Sequence, residues 1–414
     1  MTRLEQLIEE LCPHGVEYKP FGEVATIVRG ASPRPIKKFI TTHETGVNWI
    51  KIGDVKPGSK YITETAEKIT PDGAKQSRFV KEGDFILSNS MSFGRPYIMK
   101  TNGCIHDGWL AISNFDNYFL TAFLYYLLNS NQYQQMMRQK ASFGGAVQNL
   151  NADTVRQFDM PIVPLEVQRE IVRILDHFTE LTAELTAELT ARQKQYAYYA
   201  TRLFTSKNLV SLEELADFAY GYTDKANDTG DTRFIRITDI NDQGYLKNED
   251  RKYITMTEEA KKSLLKKGDI IVARTGATYG KTLYFDSDFP SVYASFLIKI
   301  IPCEKLLSKY YWHFTKTPLY WEQANKLVSK GGQPQFNGSA LKKIKIPVPP
   351  LEEQERIVAI LDRFDTLCND LSAGLPAEIE ARRKQYEYYR DKLLTFAPQG
   401  QRDERTTENR SPSM

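Results

Sequence analysis

An internal repeat is the feature that most restricts the fold of this chain. Residues 161–178 align without a gap with residues 347–364, and 11 of these 18 positions are identical. Further along, residues 191–203 match residues 381–393, and both copies contain Lys-Gln-Tyr. The offset between the copies grows from 186 to 190 residues, so the second copy is longer by about one helical turn. Self-similarity of this kind indicates two copies of one architecture.

Each copy of the repeat predicts a long helix. Residues 166–203 contain no glycine or proline, and their apolar residues recur every three or four positions, as in an amphipathic helix. Gly374 and Pro376 predict a kink or interruption in the second helix. Two such stripes are expected to pack on one another. The first helix also carries Thr-Ala-Glu-Leu twice in succession, a repeat that includes Thr182, Leu185, Thr186 and Leu189.

A globular block precedes each helix, and the two blocks resemble one another weakly. Residues 50–54 parallel residues 235–239, and Gly83-Asp84 parallels Gly268-Asp269. Short β-rich runs between Gly, Asn and Asp turns alternate with helical runs at residues 118–140 and 305–327. The predicted fold class is therefore mixed α/β. The strands are predicted at residues 47–52, 84–87, 234–237, 270–272 and 296–301.

Bulk composition narrows the class of protein further. The net charge of +3 permits nucleic-acid binding only if Lys and Arg concentrate on one face. No apolar run approaches the ~20 residues of a membrane helix, and residues 1–10 lack the apolar core of a signal peptide. Four scattered cysteines favour a reduced compartment. We therefore expect a cytoplasmic protein with no membrane association.

Signals of catalysis or metal binding are weak. The loop at residues 276–282 resembles a phosphate-binding loop, but its glycines are one residue too close together. Cys12 with His14 and Cys104 with His106 form two Cys-x-His pairs whose spacing is too tight for the usual zinc knuckle. The chain is predicted to be non-catalytic, without metal or cofactor. A nucleotide-dependent enzyme is the alternative, and replacing Lys281 would abolish its activity.

Polar, basic loops occupy equivalent places in the two blocks. They combine Arg and Lys with Ser, Thr, Asn, Gln and Tyr, the residues that anchor phosphates and contact base edges. For any single loop, an ordinary solvated surface competes with this interpretation, but duplication favours DNA binding. The candidate DNA-binding residues of the first block are Arg29, Arg34, Lys37, Lys38, Ser88, Asn89, Arg95, Lys140 and Gln148. Those of the second are Tyr220, Tyr222, Lys225, Arg274, Thr275, Thr278, Tyr279, Lys281, Lys330, Gln333 and Gln335.

Three motifs together resemble one protein family. Residues 11–17 read Leu-Cys-Pro-His-Gly-Val-Glu, residues 164–168 and 350–354 both read Pro-Leu-Glu-x-Gln, and both helices carry Lys-Gln-Tyr near their ends. This combination resembles the DNA specificity subunit of type I restriction–modification systems over essentially the whole chain. The doubled Thr-Ala-Glu-Leu unit resembles the subgroup whose central helix contains such repeats.

The resemblance implies a function and an assembly. Two target-recognition domains each read half of a split, asymmetric double-stranded DNA sequence, and two conserved antiparallel helices hold them apart. Two methyltransferase subunits dock on this scaffold, motor-nuclease subunits join them, and S-adenosylmethionine, ATP and Mg²⁺ belong to those partners. Tyr196, Tyr199, Tyr386 and Tyr389 are candidate methyltransferase contacts because aromatic residues anchor interfaces; a role in packing the helices is the alternative.

The internal repeat gives the expected domain boundaries, and one DNA-binding function competes with the resemblance. The rival is a stand-alone DNA-binding regulator, which would bind its target without a methyltransferase. The expected segments are an N-terminal conserved segment at 1–14, recognition domains at 15–156 and 206–342, helical spacers at 157–205 and 343–396, and a disordered tail at 397–414.

Overall fold

The protein divides into two compact units. Unit one comprises residues 1–182 and 381–414, and unit two comprises residues 183–380. Each unit therefore contains one globular block, the start of the helix that follows it, and the end of the other long helix. The computed structural model describes residues 2–56, 58–89, 94–144, 147–204, 208–329, 332–370 and 373–400, with side chains for all of these except residues 142–149.

Unit one is a mixed α/β unit, as the sequence predicts. Its elements are α1 (Arg3–Leu11), β1 (Glu17–Pro20), α2 (Phe21–Val24), β2 (Thr26–Arg29), β3 (Ile40–Thr41), β4 (Val47–Ile50), β5 (Tyr61–Ile62), β6 (Glu67–Ile69), α3 (Pro71–Lys75), β7 (Arg78–Val80), β8 (Phe85–Ser88), β9 (Pro96–Met99), β10 (Gly103–Ile105), β11 (Trp109–Ser113), α4 (Thr121–Leu128), α5 (Asn131–Lys140), β12 (Ser142–Gly144), β13 (Val147–Asn149), α6 (Ala152–Arg156), β14 (Asp159–Ile162) and the first part of α7 (Leu165–Leu203).

Unit two repeats this plan with fewer strands. Its elements, after the second part of α7, are β15 (Leu209–Ser211), α8 (Leu212–Leu215), β16 (Ala216–Tyr220), β17 (Thr232–Ile235), β18 (Tyr253–Ile254), β19 (Ile270–Ala273), β20 (Thr282–Tyr284), β21 (Ser291–Tyr293), β22 (Leu297–Pro302), α9 (Ser308–Phe314), α10 (Pro318–Leu327), α11 (Gly338–Lys342), β23 (Lys345–Pro347), α12 (Leu351–Asn369) and α13 (Leu375–Leu393), which continues into unit one.

Sheet topology establishes that the two blocks are copies of one fold. The principal sheet contains the antiparallel strand order β2-β11-β8-β9 in unit one and β16-β22-β19-β20 in unit two, and in unit one β5 extends it by pairing parallel to β9. A second sheet in each unit contains one parallel pair, β4 with β10 and β17 with β21. The predicted internal repeat is therefore confirmed, although most of the sequence similarity between its two copies lies in the long helices.

The weak sequence echoes mark backbone turns that recur in both units. After β4, the Asp54 carboxylate accepts a hydrogen bond from the Lys51 amide at 2.7 Å. After β17, Asp239 accepts one from the Arg236 amide, also at 2.7 Å. Each bond closes a short 3-10 turn by binding an amide that the turn leaves without a backbone partner. The strands therefore end at Ile50 and Ile235, two residues earlier than predicted.

The shared glutamine of the Pro-Leu-Glu-x-Gln motif ties the start of each long helix to its block. The fully buried Gln168 accepts a hydrogen bond from the Leu120 amide at 2.8 Å and donates to the Tyr118 and Val163 carbonyls, both at 2.7 Å. The equally buried Gln354 makes the corresponding three bonds, accepting from the Leu307 amide at 3.0 Å. The motif is thus a structural clamp.

In unit one, the start of α7 and the end of α13 run antiparallel. The ring of Phe178 stacks on that of Tyr389 at 5.6 Å. One turn earlier in α7, Ile174 lines a cavity together with Leu393, which lies one turn later in α13. These helices close the hydrophobic core of the unit, into which Leu175 is fully buried.

In unit two, the start of α12 packs against the second part of α7 in the equivalent way. The ring of Phe364 lies 5.7 Å from that of Tyr199, the counterpart of the Phe178–Tyr389 contact. Leu361 and Ala200 contribute to the same hydrophobic core. The prediction that the two apolar stripes pack on one another is therefore wrong for these contacts, because each stripe packs on the end of the other long helix and on the core of its own unit.

The two helical runs predicted within the globular blocks are each divided in two. Ser130 and Thr317 each cap a new helix and accept hydrogen bonds from the amides of Tyr133 and Tyr320.

The second long helix is interrupted between Asn369 and Leu375, as the sequence predicts. A Cβ on Gly374 would lie 2.4 Å from the Thr366 carbonyl oxygen, so the interruption requires glycine.

Part of the predicted disordered tail is instead hydrogen bonded within unit one. The Val16 amide donates to the Ala397 carbonyl at 2.9 Å, and the Gln399 amide donates to the Val16 carbonyl at 3.0 Å. Residues 397–400 therefore extend the fold, because their backbone groups find partners at residues 14–16. The remaining residues of that tail, 401–414, lie outside the described residues.

Candidate nucleic-acid interface

Three loops meet at the same end of the principal sheet in each unit. In unit one, the Asn89 amide donates to the Gly108 carbonyl at 3.1 Å, and the Asn89 carbonyl accepts from the Leu150 amide at 3.1 Å. In unit two, the Arg274 amide donates to the Phe296 carbonyl at 3.0 Å, and its carbonyl accepts from the Phe336 amide at 2.7 Å. Asn89 and Arg274 therefore occupy equivalent positions.

A fourth loop, which follows β2 or β16, joins the same end of the sheet. The Gly30 amide donates to the Trp109 carbonyl at 2.8 Å, and the Gly221 amide donates to the Leu297 carbonyl at 3.2 Å. A Cβ on Gly30 would lie 2.1 Å from the His106 carbonyl oxygen, and one on Gly221 would lie 2.3 Å from that of Ala294. This close approach requires glycine in both units and brings the predicted loops together.

In unit one, Asp107 holds several of these side chains together. Its carboxylate accepts a hydrogen bond from the Ser32 hydroxyl at 2.7 Å and lies 3.4 Å from the Arg34 guanidinium. Its backbone carbonyl accepts from Arg29 Nε at 3.1 Å and from Asn89 Nδ2 at 3.0 Å. The bond from Ser32 lowers the pKa of the Asp107 carboxyl, so this side chain is ionised at neutral pH.

The other candidate residues of unit one fall into two groups. Ser88 and Asn89 are buried and serve the fold, because Asn89 supports Asp107 and Ser88 accepts from the Arg95 amide at 3.4 Å. Four cationic residues around the loop cluster are exposed, and they are Lys37, Lys38, Arg95 and Lys140. The side chain of Gln148 lies outside the described residues.

In unit two, Arg274 lies between two aromatic rings. Its guanidinium carbon is 5.3 Å from the Tyr220 ring centroid and 5.8 Å from that of Phe296. Arg274 Nε donates to the Ser295 carbonyl at 2.9 Å, the counterpart of the bond from Asn89 to Asp107. Both rings are about half exposed, 51% for Tyr220 and 55% for Phe296. The result is an aromatic and cationic surface on which a hydrogen bond at Nε restrains the guanidinium.

The loop at residues 332–337 completes this cluster. Thr275 and Gln335 form a β-bridge, and the Gly276 amide donates to the Pro334 carbonyl at 3.1 Å. Gln333 is exposed, and its amide nitrogen would lie 3.4 Å from a Cβ placed on Gly276. Thr275 itself is buried, so it supports the loop. Lys330 lies outside the described residues.

The remaining candidates in unit two are occupied elsewhere. Tyr222 packs against a small hydrophobic cluster, and Lys225 is exposed further along the same loop. The Tyr279 hydroxyl donates to Asn325 Oδ1 at 2.8 Å, and Thr278 lies in a 3-10 turn. Lys281 forms an ion pair with Asp242. Of the predicted residues of unit two that the structure describes, Tyr220, Arg274, Thr275, Gln333 and Gln335 are brought together.

The loop at residues 276–282 is not arranged to bind phosphate. The amides of Gly276, Tyr279, Gly280 and Lys281 are bonded to carbonyls of Pro334, Gly276, Ala273 and Thr278. A phosphate-binding loop instead leaves such amides free to bind the ligand. Because Lys281 is also paired with Asp242, the geometry gives the nucleotide-dependent alternative no support.

The two Cys-x-His pairs do not assemble into a metal site. Cys12 and Cys104 are both buried, and burial raises the pKa of the Cys104 thiol. The ring nitrogens of His106 lie 3.2 Å from the Ile52 amide nitrogen and 2.6 Å from that of Gly108. Within the described residues, no group of three or more His, Cys, Asp or Glu side chains is placed to hold a metal ion.

The tyrosines at the helix ends divide according to exposure. Tyr196 and Tyr386 pack against the cores of their own units, so the helix-packing alternative accounts for these two. Tyr199 stacks on Phe364 but remains 40% exposed, and Tyr389 stacks on Phe178 with 36% exposed. Their neighbours Tyr198 and Tyr388 are the most exposed, at 55% and 62%.

Two residues of the loop clusters were missed by the sequence interpretation. Asp107 stands before Gly108, and this Asp-Gly pair is a turn signal that could have identified the loop. Phe296 was predicted as the first residue of a strand, whereas β22 begins at Leu297. The alternation of apolar residues gave no sign that its ring would pack on a cation outside the sheet.

The geometry defines a duplicated binding protein in which one backbone framework carries two different sets of side chains. Comparison with known proteins gives its family. The sequence matches the family described as "Type I restriction modification DNA specificity domain" twice, over residues 13–192 and 206–381. The chain therefore belongs to the type I restriction–modification DNA specificity family, which confirms the resemblance found in the sequence.

Individual relatives agree with this assignment. A putative type I restriction enzyme specificity subunit of Haemophilus influenzae is 33% identical over 418 residues, which cover 96% of this chain and 99% of that protein. A type I restriction enzyme specificity subunit of Escherichia coli is 37% identical over 260 residues, covering 58% of this chain and 61% of that protein. Function as a DNA specificity subunit follows, and a stand-alone regulator is not favoured.

Solved structures show the same fold. A chain from a study of complex assembly and conformational transition in a type I R-M system superposes with a TM-score of 0.65 at 18% identity, covering 92% of this chain and 97% of that one. The HsdS subunit of Thermoanaerobacter tengcongensis gives 0.51 at 18% identity, with coverage of 94% and 98%. Of the helices in the described part of the chain, none combines the length and apolarity that crossing a membrane requires.

Proposed function

We propose that the two units read the two halves of a split, asymmetric DNA target. The observation that carries this proposal is that the two loop clusters share one backbone framework but carry different side chains. Asn89 and Arg274 have equivalent backbone partners in their own units, yet Asn89 is buried and Arg274 lies beside two exposed rings. Side-chain donors and acceptors distinguish the edges of the bases. Two loop clusters with different side chains would therefore read different half-sites, although their backbones are alike.

The chain acts in this proposal as a non-catalytic scaffold. The repeated helix pairing, with Tyr198 and Tyr388 exposed at matching positions, offers two similar docking surfaces, which fits two methyltransferase subunits, one for each unit. Motor-nuclease subunits would join this core to give the restricting complex. S-adenosylmethionine, ATP and Mg²⁺ chemistry would reside in those partners, and the cytoplasm, where the host DNA lies, would be the place of action.

Exchange of one recognition block tests independent reading. Residues 15–156 are replaced by the same block of a relative with a different target, and the hybrid is co-expressed with its methyltransferase subunit. Mapping methylated sites should show one changed half and one unchanged half. Exchanging residues 206–342 is the matched control and should change the opposite half. A change of both halves by either exchange would contradict independent reading.

The rival functions make different predictions in the same preparation. A stand-alone regulator would bind one sequence tightly without the methyltransferase and would direct no methylation. A nucleotide-dependent enzyme would hydrolyse nucleotide as an isolated chain and would lose this activity in Lys281→Gln. We expect neither result, because the Lys281 ammonium is already paired with Asp242.

We further propose that the Thr-Ala-Glu-Leu repeat sets the spacing between half-sites, as expected for the subgroup that it resembles. The repeat lies within the 39 residues of α7, at the point where the chain passes from unit one to unit two. Each four-residue unit adds ~6 Å of helix, against ~3.4 Å per base pair. Because four residues overshoot a turn, each unit also adds a rotation of ~40°.

Insertion of a third unit after Leu189 tests this spacing role. The methylated target should keep both half-sites while the unread gap between them grows by about one or two base pairs. Substitution of Thr186 and Thr190 by Ala is the control, because it changes composition without length and should leave the gap unchanged. An unchanged gap in the insertion variant would mean that the repeat does not set the spacing between the half-sites.

A further inference from the structure

The guanidinium of Arg274 is the most fully positioned cationic group in either loop cluster. Its Nε is bonded to the Ser295 carbonyl at 2.9 Å, and its guanidinium carbon lies 5.3 Å from the Tyr220 ring centroid and 5.8 Å from that of Phe296. The Tyr220 hydroxyl is itself fixed, since it accepts from the Gly338 amide at 3.2 Å. The guanidinium is thus restrained at Nε and lies beside two rings before any ligand arrives.

The equivalent residue of unit one explains which part of Arg274 is left for a ligand. Asn89 donates to the Asp107 carbonyl, the counterpart of Ser295, and is then only 2% exposed. The structural role of the side chain at this position is therefore its hydrogen bond to that carbonyl. The asparagine side chain ends at this bond, whereas the arginine side chain extends beyond it. Because Nε of Arg274 makes this bond, its two terminal nitrogens remain available to bind a ligand.

Two other predicted DNA-binding cations, one in each unit, are paired with a carboxylate. Arg34 lies 3.4 Å from the Asp107 carboxylate, and Lys281 is paired with Asp242. The described contacts of Arg274 are one backbone carbonyl and two aromatic rings, none of which neutralises its charge. The hydrogen bond at Nε restrains the guanidinium, which lowers the entropic cost of binding through its other nitrogens. A bidentate contact from the two terminal nitrogens to a planar base edge matches this arrangement.

We propose that Arg274 is a specificity-determining residue that reads a guanine in the major groove of the second half-site. Its terminal nitrogens would donate to O6 and N7 of that guanine, the bidentate pair that distinguishes guanine from the other bases. Tyr220 and Phe296 hold the guanidinium in the plane of the base. This inference rests on the proposed function, and it adds the identity of one base and the residue that selects it.

The test measures base discrimination inside the complete complex. The full chain and its methyltransferase subunit are co-expressed in cells that carry a plasmid library with every base at each position of the second half-site. The readout is the ratio of methylation at guanine-containing sites to methylation at sites substituted only at that position. Because both kinds of site meet the same protein, a loss of folded protein cancels in this ratio.

In Arg274→Gln, we expect discrimination to fall by about 10- to 100-fold at one guanine of the second half-site. The first half-site should be unchanged. Arg274→Lys retains the charge but loses the planar fork, so it should also lose most of the discrimination. Tyr220→Leu should reduce discrimination to a smaller extent, because one of the two rings beside the guanidinium is then lost. Arg251→Gln, at an exposed arginine of unit two outside the cluster, should have no effect.

Other outcomes would overturn the assignment. If Arg274→Gln lowers methylation equally at all sites and Arg274→Lys restores it, the residue contacts phosphate. A second half-site that tolerates any base at each guanine position would also contradict the proposal. The proposed function itself fails in a different way, because the unaltered chain would then direct no methylation at a split target.

Discussion

The two long helices carry identical residues at several aligned positions, but the globular block of each unit contacts these residues differently. Asp176 in α7 and Asp362 in α12 are aligned residues. In unit one, Asp176 accepts from the Tyr126 hydroxyl at 2.5 Å. In unit two, Asp362 faces His313 Nε2 at 2.8 Å. Burial lowers the pKa of His313, so the neutral ring can donate to Asp362 through Nε2. Both units therefore have a carboxylate at this helix position, but a different side chain donates a hydrogen bond to it in each unit.

The next turn of the helix shows a larger difference. In unit two, the ammonium of Lys316 lies 2.7 Å from the Asp365 carboxylate, with side chains only 15% and 4% exposed. The aligned positions of unit one carry Asn129 and Thr179, which are uncharged. One fold therefore accepts a buried ion pair or neutral residues at this boundary. The pair is thus dispensable to the architecture, and the clamp of Gln168 and Gln354, identical in both units, is the common requirement.

The largest expected effect breaks the clamp in one unit at a time. Gln168→Ala leaves three buried backbone groups without their partner and should destabilise unit one by about 4 kcal/mol. Gln354→Ala should do the same to unit two. Hydrogen exchange measured in the full chain locates the damage, since Leu120 should lose protection in the first variant and Leu307 in the second. Gln135→Ala, at an exposed helical glutamine, is the control.

The outcome that would contradict the clamp is loss of protection at both amides in either variant. Such a result would mean that the helices unfold together, and that the glutamines do not serve separate units. Equal stability of Gln354→Ala and Gln135→Ala would show that water replaces the buried amide without cost.

A smaller effect is expected where the units differ. Lys316→Met leaves Asp365 buried without a cation, which should cost about 3 kcal/mol at pH 7.5. Burial raises the pKa of Asp365 to about 6, above the value of an unfolded chain. Stability from its protonated form is therefore present at low pH and lost as pH rises through about 6. Urea unfolding at pH 5 and pH 7.5 should show the larger loss at pH 7.5.

The sequence of unit one supplies the matched control for this variant. The double substitution Lys316→Asn with Asp365→Thr installs the residues of unit one, and it should cost less than Lys316→Met at pH 7.5. A loss of stability that is independent of pH would contradict the assignment, because it would mean that Asp365 does not take up a proton when its partner is removed.

The smallest expected effect concerns partner binding. Tyr198 and Tyr388 occupy matching places on α7 and α13, and each is more than half exposed. Tyr388→Ser should weaken one of two methyltransferase-binding events by about 1 to 2 kcal/mol, and Tyr198→Ser should weaken the other. Titration calorimetry with the methyltransferase subunit separates the two events. Tyr386→Phe keeps the packed ring and should leave both unchanged.

The helices were predictable from sequence to a degree that the loop clusters were not. The start of α12, the interruption before Pro376 and the apolar stripe follow from local backbone chemistry that short motifs record. The meeting of Arg274 with Phe296 depends instead on strand order, because β22 lies beside β19 only after the sheet forms. Asp107 was overlooked for the same reason, since its partners Ser32 and Arg34 are more than 70 residues away in sequence.

The pairing of residues 14–16 with residues 397–400 makes the path of the chain nearly a closed circuit. Unit one is assembled from both outer stretches of the chain, and unit two is assembled from the middle. The linear order of the two units is therefore a matter of where this circuit is opened. A permuted chain in which residue 400 is joined to residue 14 by a short linker and a new opening follows α7 would omit α1 but would retain every strand pairing described here. The order of the two units along the chain is thus separable from the fold of each unit.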